Sequence, residues 1–384
     1  MKKALIVFAF LPALFGRSQT APVVLDLDQA NLSADIRINC ARFMSNEQIG
    51  WSGYGCSIHV IDMKMLSETK LGDASEPMDM FRVAGDSCTV VATTPGGQFL
   101  SWNFCDEKLK YVAGEFIKEY AQTHVISFSP DGRTYFVNGF GCEIKQRSIT
   151  NGKVMKKLKP IQEECIYMAV CNPVTGQIYC GGNSSVWEAK KGEKSGLLND
   201  ELSVINSIAV SPDGKTVAVC GREGIALLDA NLKNPRMLVK GEDWWNELIF
   251  SPDGKYLYSC SGALDYKNAV TIWDLANEKE LISFTDFSGG VNTIDLSPNG
   301  RYLLAASLDG SLRIFSTVDQ RQVLAAFPVF IGESLEYIFQ MANGAVYTSD
   351  RMWGIAEIRS KGVVRTKDNN ASVIREQINA LFRD

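Results

Sequence analysis

Short apolar strands divided by polar turns set the pattern of this chain. The clearest stretch runs from Asn246 to Asn277. An apolar strand ends in the turn Ser251-Pro252-Asp253-Gly254, a second covers Tyr256 to Cys260, and a third ends at Trp273-Asp274. In such a turn proline presets φ, aspartate caps the backbone and glycine accepts a positive φ. Three short strands cannot bury both of their faces alone, so the unit has to be covered by copies of itself. The copies are present. First strands with the same turn occur as VISFSPDG ending at Gly132, SIAVSPDG at Gly214, ELIFSPDG at Gly254 and TIDLSPNG at Gly300, with a degenerate MAVCNPVTG at Gly176. Weaker first strands are RINCARF at 37–43, MFRVAGD at 80–86 and EYIFQMANG at 336–344.

Third strands give an independent register. Each ends in an apolar residue followed by a polar one: Ile61-Asp62, Trp102-Asn103, Trp187-Glu188, Leu228-Asp229, Trp273-Asp274, Phe315-Ser316 and Ile358-Arg359. The steps are 41 to 45 residues, except for one double step that CEIKQRSI at 142–149 fills. Three or four strands per period of that length predict an all-β chain, a β-propeller. The count is about eight four-stranded blades, with seven as the alternative closure. Val23 to Leu27 is placed to supply a strand that closes the ring and hides its free edges. Runs such as Val217-Ala218-Val219 suit sheets buried on both faces. Without long helices between strands, βαβ folds are excluded. Two helical patches stand apart, Gly114 to Gln122 and the tail Ser372 to Phe382. In the tail Val373, Ile374, Ile378, Leu381 and Phe382 fall at helical spacing, a face for packing on the propeller or, alternatively, for binding a partner. The chain thus divides into a signal segment 1–18, a leader 19–34, the propeller 35–367 and a helical tail 368–384.

The SPDG turns at 129, 211 and 251, SPNG at 297, the pair Trp273-Asp274, and Leu308-Asp309-Gly310 before SLRIF resemble the Trp-Asp (WD) repeat family. The likeness is specific over 205–325 and dilute elsewhere. It implies a propeller that binds proteins through loops on one face. Two features depart from the family pattern. The Gly-His pair that usually opens a repeat is missing throughout, and a single unit keeps a literal Trp-Asp. The hydrogen-bond network built on that histidine is therefore absent, as in a divergent member. Propellers with YVTN-type repeats share the period and stay open as an alternative.

Composition narrows the class. With 46% hydrophobic and 22% charged residues the chain is a folded one, not a disordered one. A net charge of −5 lacks the basic footprint expected of a nucleic-acid binder. Lys2 and Lys3 precede an apolar run from Ala4 to Phe15 and then Gly16-Arg17-Ser18, the pattern of a secretory signal peptide and too short for a membrane span. Cleavage is placed after Ser18, or after Ala21, giving a secreted or periplasmic product; the alternative is a cytoplasmic protein with a buried first strand. Ten cysteines permit disulfides in such a product. Cys180, Cys220 and Cys260 recur at one place in successive units and read as small apolar fillers. Pairs within a unit, Cys40 with Cys56 or Cys88 with Cys105, are better disulfide candidates. The absence of CxxC removes a zinc site of that kind.

Chemistry has few anchors. His59 lies inside an apolar third strand and His124 opens a first strand, and these are the two histidines of the chain. A metal site gathers several ligands, and no GxSxG elbow, Walker loop, GxGxxG after a strand or HExxH occurs. No catalytic group, metal or cofactor is expected. By the family geometry, the turns from second to third strand and the loops entering first strands share one face. The turns carry Tyr54, Phe140, Arg222, Tyr266 and Arg351, and the entering loops carry Glu76, Asp79, Asp243, Trp244 and Trp245. Aromatic residues among charges are typical of protein-binding hot spots. Trp244-Trp245 is the sharpest candidate, because two adjacent tryptophans at a loop–strand junction do not easily both enter a core; alternatively one packs inward and the other lids the junction. The acidic excess of these loops favours a basic partner or a loosely held cation. The reading is an exported, non-catalytic platform for a protein or peptide. A propeller enzyme, lactonase-like or a cofactor-dependent oxidoreductase, is the competing class, and the scarcity of histidine counts against it.

Overall fold

The repeated turn closes on its own serine. In the computed structural model of the chain, the Ser251 hydroxyl donates to Asp253 Oδ1 at 2.6 Å and accepts the Tyr256 N–H at 2.9 Å, while the Lys255 N–H reaches the same carboxylate oxygen at 3.1 Å. Gly254 takes φ 71°, open to glycine at no steric cost. Ser129-Asp131, Ser211-Asp213 and Ser297-Asn299 make the same serine contact. One four-residue string therefore fixes one hairpin four times. The serine hydrogen bond is the main reason that the carboxyls of Asp131, Asp213 and Asp253 lie below their ordinary range.

The structure describes residues 23–27, 36–113, 126–138, 143–158, 166–189, 202–262, 267–331, 334–360, 363–365 and 371–382, apart from the single positions 54, 73, 75, 87, 107, 184, 203 and 242. The signal segment 1–18, the patch Gly114 to Gln122 and His124 fall outside these residues. Among them the strands form eight sheets, one for each predicted unit. Within the units strands pair antiparallel in chain order, as predicted for blades. Seven sheets contribute an inner strand: Cys40–Phe43, Met80–Val83, Ile126–Phe128, Met168–Cys171, Ser207–Val210, Trp245–Phe250 and Val291–Leu296. Neighbours in this series lie side by side, and the seventh packs on the first, so blades 1 to 7 close a ring round a channel. Apolar layers fill the spaces between blades. One is Cys40, Met44, Phe81 and Trp102 between blades 1 and 2; another is Tyr258, Ile272, Leu303 and Phe315 between blades 6 and 7.

The eighth unit lies outside the ring. The outer strand of blade 7, Arg321–Ile331, is 11 residues long and turns straight into Ser334–Met341, which pairs with it from Leu324↔Met341 to Ile331↔Ser334. That hairpin holds the first strand of the unit on the rim of blade 7, away from the axis. Farther out, Ala356–Ser360 pairs in parallel with Val23–Asp26 and antiparallel with Val363–Arg365. The leader strand thus completes the eighth sheet instead of sharing a ring blade. Its Leu25 is buried with Phe327, Ile338, Met352 and Ile358, which is what draws it there.

Ring closure falls to side chains and to a helix. Ala41 and Phe43 of blade 1 donate their N–H groups to Thr293 Oγ1 (3.1 Å) and Asp295 Oδ2 (2.7 Å) of blade 7. The helix Ala371–Leu381 buries Ile374 and Ile378, with Phe382 just after it, against Ile36 and Trp51 on one side and Tyr302 on the other. Its Leu381 carbonyl accepts the Tyr302 hydroxyl, and Arg375 donates to the Met65 carbonyl at 3.1 Å.

Side-chain bonds also brace blades 6 and 7 from within. Asp309, in the turn of blade 7, accepts from the Ser311 N–H (2.9 Å) and hydroxyl (2.6 Å) and from the Ser288 N–H (3.2 Å), with Arg313 at 3.4 Å. Trp273 Nε1 donates to Ser259 Oγ at 2.8 Å. Cys88 and Cys105 form a disulfide inside blade 2. Cys40 and Cys56 are not joined: Cys40 is buried and points at the Phe81 carbonyl of the next blade, 3.5 Å away. Cys180, Cys220 and Cys260 are buried free thiols.

Candidate binding site at the channel mouth

Each inner strand begins at the same face, and its residues alternate between the blade interface and the channel. The side chains that break the apolar pattern of these strands tie blades 5, 6, 7 and 1 in series, and blade 3 to blade 4, at three levels. At the mouth, five residues before the turn, Asn206 donates its Nδ2 to the Trp245 carbonyl (2.9 Å), Asn246 to the Val291 carbonyl (2.8 Å) and Asn292 to the Ile38 carbonyl (3.2 Å). One residue deeper, Ser207 Oγ accepts the Leu248 N–H, Glu247 Oε2 the Ile294 N–H and Thr293 Oγ1 the Ala41 N–H, at 2.9–3.1 Å. Deeper still, Ser127 Oγ accepts the Cys171 N–H at 3.0 Å, as Asp295 accepts that of Phe43. Along blades 5, 6, 7 and 1 the channel wall is therefore knitted from blade to blade, and its shape there is set before any ligand arrives.

Below the mouth Glu247 carries a buried ion cluster. The Arg42 guanidinium reaches it through both terminal nitrogens, at 3.2 and 2.8 Å, and Arg82 adds a contact of 2.6 Å. Arg42 also donates to the Ile294 carbonyl at 2.7 Å. Blades 1, 2, 6 and 7 thus meet on one carboxylate. Burial raises the pKa of Glu247, against the opposing pull of Arg42 and the Ile294 N–H. Burial likewise raises Asp295 to about 7, opposed by Arg42 and the Phe43 N–H. A carboxyl raised in the folded state favours folding most while protonated. That contribution is complete below the unfolded value of about 4 and is lost as pH rises to about 7. Stability measured between these limits should fall with pH, and Asp295→Asn should flatten the slope. An unchanged slope in the variant would remove Asp295 as its source.

The mouth itself is a cavity of about 560 Å³, lined among others by Asn39, Asp79, Tyr167, Asn206, Trp244, Asn246 and Asn292. Trp244 is half-buried at its rim, and its carbonyl accepts the Gly262 N–H at 3.0 Å. Beside it Asp243 bonds through its N–H to the Arg222 carbonyl (3.2 Å) and through its carboxylate to the Lys267 N–H (3.2 Å). Partial burial pushes the Asp243 carboxyl up. Arg222 is exposed, so Arg222, Asp243 and Trp244 form one stretch of rim.

Two predicted site residues belong elsewhere. Trp245 is not a surface residue: it is 6% exposed, with its ring edge-on to Trp273 at 5.8 Å in the layer between blades 5 and 6. Strand alternation sends it inward as Trp244 stays at the rim. Arg351 sits on the helix Asp350–Ile355 of the eighth unit, 3.7 Å from Glu336, and takes no part in the mouth. Tyr54, Phe140 and Tyr266 lie outside the described residues. His59 is buried, stacked on Trp51 at 4.4 Å with Nδ1 2.5 Å from Glu68. Among the described residues, no group of three or more His, Cys, Asp and Glu is placed to hold a metal. The mouth asparagines and the Arg42–Glu247 pair escaped sequence reasoning. Their signal was a polar residue at a fixed offset before each turn, visible at 39, 206, 246 and 292 once the strands are aligned on that turn.

Known proteins agree with this architecture. The family model for the WD domain, G-beta repeat, matches residues 278–316, from the end of blade 6 into blade 7. Protein groucho of Drosophila melanogaster is 28% identical over 167 residues, 41% of this chain and 22% of that protein. Transcription factor unc-37 of Caenorhabditis elegans is 25% identical over 210 residues, 51% of this chain and 34% of that protein. The matched part is about a fifth of the first relative and about a third of the second. A chain in the crystal structure of a mitotic checkpoint complex superposes with a TM-score of 0.64 at 15% identity, over 83% of this chain and 99% of that one, which is a likeness of fold. With its repeat period, its blades and the repeat that the family model matches, this chain is a divergent member of the Trp-Asp (WD) repeat family.

Proposed function

We propose that this protein is a non-catalytic interaction platform that takes a protein segment or peptide at the channel mouth, and that it works outside the cytoplasm. The observation that carries the first part is a preshaped cavity of mixed apolar and polar lining, rimmed by Trp244 and walled in part by side chains already bonded from blade to blade. A wall of that kind loses little conformational freedom on binding, which favours affinity. Trp244, part aromatic surface and part packed, has the character of a hot-spot residue. Trp244→Ala should weaken a captured partner by tenfold or more, on the order of 2 kcal/mol, as read by titration calorimetry. Undiminished binding would move the site away from the mouth.

Export draws support from the Cys88–Cys105 disulfide and from the apolar segment 4–15. The free thiols fit an oxidising compartment, because burial pushes Cys40 up to about 11 and Cys180 to about 12 and withholds the reactive thiolate. Terminal mapping of the native protein should find a chain that starts near Gln19. An intact Met1 on a cytosolic protein would overturn this part and leave the platform standing.

A further inference from the structure

The mouth asparagines have a fixed sense. A carbonyl oxygen can receive a hydrogen bond but not give one, so each amide that contacts a backbone carbonyl must turn its nitrogen to it and its oxygen away. Asn206, Asn246 and Asn292 all spend their Nδ2 on the next blade, and Asn246 donates also to the Gly262 carbonyl at 3.1 Å. Their oxygens are left as acceptors round the rim of the cavity. Asp79, at the equivalent place in blade 2, has no side-chain partner among the described residues and adds a carboxylate to the lining. Tyr167, at the same place in blade 4, and Trp244 bring aromatic faces. The one cation of the lining among the described residues, Arg82, is turned down onto Glu247 at 2.6 Å. An anion entering here would have to compete with that carboxylate for it.

Amide oxygens, a carboxylate and aromatic faces together make a receptor for a positively charged donor. Building on the platform reading, we propose that the mouth selects its partner by inserting one Lys or Arg side chain of the bound segment among Asp79, Tyr167, Trp244 and the asparagine oxygens. The asparagines thereby serve two ends: their nitrogens hold adjacent blades together, and their oxygens read the ligand. The cavity, at about 560 Å³, has room for such a side chain with its flanking backbone.

The test selects a random short-peptide library against the full chain. Peptides so obtained should share a Lys or Arg. A synthetic representative should lose about tenfold in affinity on Asp79→Asn, more on Asp79→Lys, and a similar factor when its own basic residue is replaced by uncharged norleucine. Its affinity should also fall as salt is raised. The Asp79 variants keep the fold because that side chain makes no bond among the described residues, and the norleucine peptide leaves the protein untouched. Selected peptides without a common basic residue, or equal binding by Asp79→Lys, would overturn the cation subsite while the platform stands. A selection that yields no binder would overturn both.

Discussion

Glu247→Ala is expected to destabilise the protein by about 3–5 kcal/mol, the range for removing one partner of a buried ion pair. The argument rests on what stays behind. Arg42 has a side chain 2% exposed, and without Glu247 its hydrogen bonds among the described residues run to backbone carbonyls alone, with the half-titrated Asp295 carboxyl as a weaker electrostatic partner. Three bonds to two arginines and one to the Ile294 N–H disappear together. Arg82, a quarter exposed, can turn to water and loses less. Replacing Arg42 and Glu247 together by methionine and leucine should cost less than Glu247→Ala alone, since no buried charge is then left unpaired. Denaturant midpoints decide it: a single variant as stable as the parent would mean that the four blades do not depend on this carboxylate.

Trp245→Ala is expected to cost a similar amount, about 3–5 kcal/mol, as for other large-to-small changes in a core. It would empty the layer between Leu227, Leu248 and Trp273. Trp244→Ala should fall within about 1 kcal/mol of the parent, because it removes half-buried rim surface and lies outside the core layers of the described residues. Trp245→Phe should lie close to the parent as well. The indole Nε1 is buried without an acceptor among the described residues, so the smaller ring gives up packing but removes an unmet donor. Equal thermal losses for the two alanine variants would contradict the division of this pair into rim and core.

The legible part of the fold was the part with local causes. Ser251, Asp253 and Gly254 form a turn by bonds within six residues, so the string announces its structure wherever it recurs. The strand ends at Trp102, Trp187 and Trp273 kept the period because each fills the same place between blades. The position of the eighth unit depended on something less local. EYIFQMANG has the pattern of an inner strand, and what moves it outward is the apolar run Val323 to Ile331, which continues past the usual end of an outer strand and leaves no loop long enough to return to the axis. Trp244 and Trp245 were chemically alike in sequence; only the strand start at Trp245 separates them. The mouth asparagines bond across blades some forty residues apart, and nothing adjacent to them in sequence marks the partner.

The helix Ala371–Leu381 bears on how the ring is assembled in time. A propeller whose first and last strands share one sheet is latched by backbone pairing. Here the join between blades 1 and 7 is covered by a segment made after every blade and after the eighth unit. At ribosomal speeds the stretch between them takes on the order of seconds to emerge. Through that interval Ile36, Trp51 and Tyr302 await their cover, like a bracelet whose links are complete before its clasp is forged.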